Sequence, residues 1–504
     1  MADLILAVDQ GTTGTTVLVV QPDGSIVGRG YREHPQHFST PGWVEHDPEA
    51  IWRTVLEATT EAMAAAGIVA RQLAAIGITN QRETIVAWDS ETGRAVGPTI
   101  VWQDRRTADR CRELRDAGLG ARVREVTGLP LDPYFSATKA EWLLQHDDEV
   151  RAAASAGRLR LGTIDSWLVH RMTGGAAHVT DASNAARTML FDIHAGVWSG
   201  ELCERFGVDP AWLPTVVDCA GELAVADPSC YLGIGAPIAG IAGDQQSALF
   251  GQACLAVGQA KATYGTGAFV LVNSGSNAPA SDALISTVGW RIGGGTSYAL
   301  EGSVFTAGAS VQWLRDGLQV IESAPAIEQL AASVPDSGGV VLVPAFAGLG
   351  APMWDADARG ALLGVTRGTT RAHVARATLE AVAFRVRQLI EAMRAEGTPV
   401  DELRVDGGMA ANDLFVQLQA DVLGIPVTRP RHIETTSLGA AYLAAHGVGI
   451  HPTLGAVAEA WTAERTFEPD PGASPQLDDS FARFEHAVSA VREFARAGSA
   501  QPVA

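Results

Sequence analysis

Two short segments half a chain apart carry nearly the same strand, and this repetition constrains the fold more than any other feature. Gly14-Thr-Thr-Val-Leu-Val-Val20 resembles Gly267-Ala-Phe-Val-Leu-Val-Asn273, an offset of 253 positions in a chain of 504 residues. Each begins at a glycine that closes a Gly/Thr turn, Gly11-Thr12-Thr13-Gly14 in one case and Gly265-Thr266-Gly267 in the other. Each turn follows a strand-like run, 4–8 and 260–264. Glycine permits close backbone approach, so successive N–H groups in such a turn can cradle a phosphate. Two similar hairpins suggest duplication of one α/β unit, with a phosphate turn from each half facing a cleft.

Midway along the chain, the small apolar run 237–242 reads as a buried strand that delivers Gly243-Asp-Gln-Gln246 at its end. A carboxylate there is suited to take a proton from a bound hydroxyl. The plainer alternative is a packed helix cap.

Other segments supply further polar groups at strand ends. Asp47, Pro48 and Glu49 are a helix start, and Gly67 is the matching stop. The short strand 76–78 runs into Thr79-Asn-Gln-Arg-Glu83. There Arg82 offers a donor fork and Glu83 an acceptor, either to the vicinal hydroxyls of a polyol or to each other as a surface pair. Trp102 lies in a mixed aromatic and charged stretch, and the turn Asp132-Pro-Tyr134 presents a tyrosine. The stretches 184–190 and 198–206 read as packing elements. Gly308-Ala-Ser-Val-Gln312 opens a helix that continues through Trp313 and Leu314, Thr369 or Thr370 caps a long helix, and Asp406-Gly-Gly-Met-Ala-Ala-Asn412 is a Gly-rich turn before another helix. The chain after Gly498 reads as frayed. No Pro/Ser-rich linker separates the halves, so they are expected to pack closely.

Composition excludes several classes. A net charge of −20 opposes non-specific nucleic-acid binding and docking on anionic membranes. Hydrophobic residues make up 47% and charged residues 19%, as in a globular chain able to bury a core. The five cysteines are irregularly spaced without a Cys-x-x-Cys pair, which speaks against a disulfide framework or zinc site. No signal-peptide pattern opens the sequence, and the apolar run 4–8 is too short to span a bilayer, so a cytoplasmic protein is expected.

With these residues in view, a resemblance is specific. Asp9-Gln-Gly-Thr-Thr13, Gly42-Trp-Val-Glu-His46, Asn80-Gln-Arg-Glu83, Asp132-Pro-Tyr-Phe135, Gly243-Asp-Gln-Gln246 and Tyr264-Gly-Thr-Gly267 resemble, in order, the FGGY carbohydrate kinase family. Gly360-Ala-Leu-Leu-Gly-Val365, with His373 and Ala377-Thr-Leu-Glu380, resembles its second signature. The resemblance implies an α/β fold of two duplicated actin/Hsp70-like (ribonuclease H-like) domains around a central cleft. Residues 1–247 would hold the polyol and phosphate site and 248–504 the nucleotide site.

The activity implied is ATP-dependent phosphorylation of glycerol to sn-glycerol 3-phosphate, with ATP and Mg²⁺, in a homo-oligomer (dimer or tetramer). Arg82, Glu83, Tyr134, Asp244 and Gln245 match the family's polyol ligands, with Trp102 and Phe269 as apolar walls. Thr12, Thr13, Gly14, Thr266, Gly308, Gln312, Gly408 and Asn412 match its nucleotide site. Asp244 would be the general base, and Asp9 would organise Mg²⁺. Two alternatives stay open: a kinase of the same family acting on erythritol, xylulose or dihydroxyacetone, and an actin/Hsp70-like ATPase.

Two departures stand out. Thr16 occupies the place of an arginine found in many members, which removes a bidentate phosphate contact and bears on nucleotide affinity. The segment 231–237 is short and lacks the basic loop with which some bacterial members bind fructose 1,6-bisphosphate, which implies no inhibition by that sugar.

Overall fold

The computed structural model describes residues 3–499. Leu4–Gln10 pairs antiparallel with Gly14–Val20, which pairs antiparallel with Ile26–Glu33. On its other side Leu4–Gln10 runs parallel to Leu73–Asn80, and that strand runs parallel to Pro237–Gly243, with Ala220–Val225 antiparallel at the edge. The second half repeats the whole scheme. Gln259–Tyr264 pairs antiparallel with Ala268–Gly275 and that strand with Gly295–Val304, while Glu402–Asp406 and Val427–Pro430 add parallel strands and Ala463–Phe467 an antiparallel edge. The second sheet has one extra strand, Ile285–Ile292. The short sequence repeat is therefore the visible part of a duplicated six-strand unit, and the expected two-half α/β fold is present.

Local signals behave as their chemistry dictates. Helix Pro48–Ala66 starts where the Asp47 side chain accepts from the N–H of Glu49 and stops at Gly67, whose φ of 66° is the left-handed cap. Thr370 caps Arg371–Ala395. The first strand is covered on both faces: Leu6 and Val8 lie in one core cluster, Ile5 and Ala7 in another. Burial on both faces is what a central strand of such a sheet requires. The helix opened by Gly308 ends sooner than expected, at Gln312, and continues as a single wide π turn, Trp313–Gly317. The last helix runs Ser474–Ser499, so the stretch read as frayed lies, beyond Ser499, outside the described residues. All five cysteines are free thiols, four of them buried. Among the described residues no helix is long and apolar enough to cross a membrane.

The halves are joined by a helix that the chain order does not advertise. Thr435–Gly447, from the second half, lies on the first-half sheet and against helix Asp244–Gly251. Glycine makes this approach feasible: a Cβ on Gly439 would sit 1.8 Å from the Ser247 carbonyl oxygen, and one on Gly77 would sit 2.1 Å from the Ala440 carbonyl oxygen. Ser247 donates its hydroxyl to the Thr436 carbonyl at 2.7 Å. A buried cluster including Ile5, Leu18, Leu271, Trp290 and Leu438 then draws both sheets onto this helix.

Helix Ile164–Met172, which packs on the first sheet, opens with a buried carboxyl, Asp165. It accepts from the Thr163 and Thr180 hydroxyls at 2.5 and 2.7 Å. Burial, reinforced by the charge of Asp181 against those two hydroxyl bonds, pushes it up to about 7.

Two outcomes are expected. Gly439→Ala forces the helices apart and costs about 3 kcal/mol in denaturant unfolding, whereas Gly200→Ala, in open space, is nearly neutral. For Asp165, the ordinary carboxyl value is 3.8 and the folded value is higher, so the folded protein keeps a proton that the unfolded chain loses. Its contribution is full below about pH 4 and is lost as pH rises through about 7. Asp165→Asn is therefore expected to gain on the wild type at pH 8, by on the order of 2–4 kcal/mol, with the gap closing towards pH 4.

Candidate active site

Strand register brings the polar groups to one edge. Asp9 lies opposite Thr79, and Thr79 opposite Ala242, so Gln10, Asn80 and Gly243 end level. The residues that follow leave the sheet together at the carboxyl ends of parallel strands, where open α/β sheets bind ligands. Gly243 is the N-cap of helix Asp244–Gly251, so Asp244 is not the packed cap of the plainer reading. Its carboxylate accepts the N–H of Gln245 at 2.7 Å and faces Arg82 Nε at 3.1 Å. The Asp244 side chain is 31% exposed, while those of Arg82, Glu83 and Glu301 are at 2% or less, so it is the most accessible carboxylate of this group.

Behind Asp244 is a buried ion network. Arg82 Nη1 and Nη2 donate to the two oxygens of Glu301 at 2.5 and 3.1 Å. Nη1 also donates to Gln246 at 3.2 Å, and Nη2 to the Tyr134 hydroxyl at 3.4 Å. Arg187 donates to Glu83 at 2.7 Å and to Glu301 at 3.0 Å, with its guanidinium 5.3 Å from the centre of the Phe135 ring. Glu83 holds a φ of 62°, and its carbonyl accepts the Ser136 hydroxyl at 2.8 Å. Such a conformation in a non-glycine residue costs about 1–3 kcal/mol and is kept only where its surroundings over-determine it. Burial works to raise the Glu301 carboxyl, but Arg187 and Arg82 outweigh it and hold it at about 2. For Glu83 burial prevails over the same two arginines, and its carboxyl is raised. Arg82 and Glu83 are thus neither a surface pair nor each other's main partner.

Around this network stand the other expected polyol residues. Trp102 meets the Tyr134 ring edge-on at 5.5 Å, and its indole N–H donates to the Thr12 hydroxyl at 2.8 Å. That bond ties the Trp102–Tyr134 pair to the first Gly/Thr turn. Gln245 accepts from Lys261, which also donates to the Thr263 hydroxyl at 3.0 Å. Burial lowers Lys261 to about 8 despite the nearby charges of Asp406 and Asp244. Phe269 is opposite Thr263 and Ser303 in the sheet, so it shares the face that carries Lys261 and Glu301.

Burial pushes Asp9 up to about 7, with Asp244 and Glu434 adding to it and the Ser437 hydroxyl, 2.9 Å away, opposing it. Thr16 lies directly opposite Asp9 in the hairpin. An arginine at that place would share a face with Asp9, and its replacement by threonine leaves the carboxyl without that cation.

The expected nucleotide residues lie on three turns, one in the first half and two in the second. In the first, the Gly11 N–H donates to the Gly14 carbonyl at 2.9 Å, leaving Thr13 exposed and Thr12 half-buried. In the second half, Ala307 and Ala309 donate to the Thr266 carbonyl and Gly308 to the Gly265 carbonyl. The turn before Gly408 packs on the same strand end, where a Cβ on Gly407 would meet the Tyr264 carbonyl at 2.5 Å. Thr266, Gly308 and Gly408 are therefore neighbours through backbone contacts, and Gln312 closes the short helix at this edge, exposed. Asn412 has a structural task as well: its side chain caps Asp413–Leu423 by accepting the N–H of Phe415 at 2.8 Å.

Sequence reasoning missed Glu301, Arg187 and Lys261. Arg187 corrects the reading of 184–190 as packing alone, and Asn184 in the same stretch bonds the amide of Asn80 at 3.0 Å. A signal existed. Each of Leu300-Glu301-Gly302, Ala260-Lys261-Ala262 and Ala185-Ala186-Arg187 sets one charge in a small or apolar run, and a buried charge requires a partner.

Comparison with known proteins agrees along nearly the whole chain. The FGGY family of carbohydrate kinases matches with its N-terminal domain at residues 4–251 and its C-terminal domain at 260–448. A glycerol kinase of Aromatoleum aromaticum is 55% identical over 493 residues, spanning 97% of this chain and 98% of its own. One of Myxococcus xanthus is 53% identical, spanning 93% of this chain and 95% of its own. Among solved structures, Plasmodium falciparum glycerol kinase with ADP is similar at a TM-score of 0.90 and 32% identity, over 96% of this chain and 98% of its own.

Proposed function

The chain belongs to the FGGY family of carbohydrate kinases, and from that premise we propose that it transfers the γ-phosphoryl group of ATP to glycerol, giving sn-glycerol 3-phosphate. Relatives named glycerol kinase that are 50–55% identical over nearly the whole chain support the acceptor. The observation that carries the mechanism is the accessible Asp244 carboxylate at a strand end, beside a buried Arg82 and within one group with Glu83, Tyr134 and Gln245.

In this reading residues 1–247 hold the polyol and 248–504 the nucleotide. Arg82 and Tyr134 donate to glycerol oxygens, Glu83 and Gln245 accept from its hydroxyls, and Trp102 and Phe269 cover its carbon chain. Asp244 accepts the proton of the terminal hydroxyl as that oxygen attacks the γ-phosphorus; the bond from the γ-phosphorus to the β,γ-bridging oxygen breaks and ADP leaves. Catalysis of this kind is mainly positioning and charge neutralisation. The turns at Thr12, Thr13 and Gly14 and at Thr266, Gly308 and Gly408 offer backbone N–H groups and hydroxyls to the phosphates, with Gln312 and Asn412 beside them.

Among the described residues no cluster of three or more His, Cys, Asp or Glu could hold a metal. The site fits an ion that arrives on the nucleotide, since Mg²⁺ is commonly bound by one or two carboxylates and substrate phosphates. Asp9, raised by burial and without a cationic partner, is the carboxylate to face it. When bound, Mg²⁺ neutralises phosphate charge.

A coupled ADP-release assay with MgATP tests the reading against glycerol, dihydroxyacetone, erythritol, xylulose and no acceptor. Glycerol-dependent turnover with little ADP in the blank is expected. Turnover with another acceptor alone moves the substrate, and acceptor-independent ADP release favours an ATPase. Asp244→Asn is expected to lower kcat roughly 10²–10⁴-fold while glycerol binding largely survives. Near-wild-type turnover in that variant would remove Asp244 from the base role.

A further inference from the structure

We infer that Glu301 is a positioning residue: supplied by the second half, it grips both outer nitrogens of Arg82, which keeps that guanidinium directed at the polyol and leaves Asp244 free to act as base. The inference rests on the function proposed above and adds a residue that is absent from the expected ligand set.

Glu301 has no exposure to solvent and stands mid-strand, opposite Leu271 on one side and Ile285 on the other. A carboxylate in such a place is tolerated only when paired and fully hydrogen-bonded. It is paired twice: Oε2 takes Arg82 Nη1, while Oε1 takes both Arg82 Nη2 and Arg187 Nη2. Arg82 belongs to the first half and Glu301 to the second, 219 positions apart, so the grip crosses the junction between the halves.

The consequence for Asp244 follows from guanidinium geometry. Arginine presents its donors in a rigid planar fork that matches a carboxylate bidentately. With the fork occupied by Glu301, only Nε is turned to Asp244, a single contact at 3.1 Å. Gln246 and Tyr134 hold the same outer nitrogens from their other sides, at 3.2 and 3.4 Å. Without Glu301 the carboxylates left to the fork are Glu83, already bound by Arg187 at 2.7 Å, and Asp244, the partly exposed one already 3.1 Å from Nε. A base clamped in that way is less basic, and the arginine no longer faces the substrate. The charged groups facing Asp244 are Arg82, Asp9 and Lys261, and those facing Glu301 are Arg82, Arg187, Glu83 and Lys261.

Steady-state kinetics of Glu301→Gln across pH test this. The variant keeps shape and loses charge. Against an active wild type, KM for glycerol is expected to rise about tenfold or more and kcat to fall about tenfold or more. The acidic limb of kcat/KM is expected to move down by about half a pH unit, as Arg82 holds Asp244 ionised more tightly. KM for ATP should stay within about threefold. A variant that is only less stable, with glycerol KM, kcat and the acidic limb as in the wild type, overturns the inference and leaves the functional reading intact. A wild type without glycerol-dependent turnover overturns the functional reading, and this inference with it. If Glu301→Gln does not fold, Glu301→Asp answers the same question, since it keeps the charge but is one methylene short of reaching both nitrogens. A glycerol KM raised about fivefold or more supports the inference, and an unchanged KM overturns it.

Discussion

Arg82 and Arg187 lie with Glu83 and Glu301 in a region from which water is nearly excluded, and none of the four could be buried there alone. An isolated ion in such surroundings carries a penalty of several kcal/mol, and removing one partner of a buried pair exposes the other to that penalty. The network therefore binds its members into one unit. Since Glu301 comes from the second half and the other three from the first, the unit also fixes how the halves meet beside Asp244. The accessible carboxylate at the end of this chain of charges is the group that the proposed chemistry employs.

Backbone contacts at the same junction complement the charges. Helix Thr435–Gly447 reaches across to the first-half sheet through glycine contacts, and its Ser437 hydroxyl touches Asp9. The helix that begins at Asp244 packs directly against it. Two strand ends of the first half, Asp9 and Asp244, are thus braced from behind by an element of the second. Duplication supplies a Gly/Thr turn in each half, and the Trp102 to Thr12 bond connects the first turn with the Trp102–Tyr134 ring pair.

The electrostatics of the site separate its carboxyls by environment. Two guanidiniums hold Glu301 low, and burial raises both Glu83 and Asp9, the latter with Thr16 opposite it in place of a cation. In the proposed reading these carboxyls would serve different tasks: Glu301 is a fixed anchor, Glu83 faces hydroxyls, and Asp9 faces the cation carried by the nucleotide.

Much of this was legible in the sequence where the signal is local. The cap at Asp47 and stop at Gly67, the repeated hairpins, the strand delivering Asp244 and Gln245, Arg82 and Glu83 beyond the end of its neighbour, and Tyr134 in its turn all follow from side-chain chemistry and spacing within a few residues, or from a motif. What only the tertiary structure decided is which distant charges become partners. Arg187 reaches Glu83 across 104 positions and Arg82 reaches Glu301 across 219, and no local periodicity encodes such pairings. They follow from the order in which strands assemble and from a helix of one half resting on the sheet of the other. Sequence determined the elements and placed Asp244 at the end of its strand; the assembly of the sheets determined what surrounds and orients it.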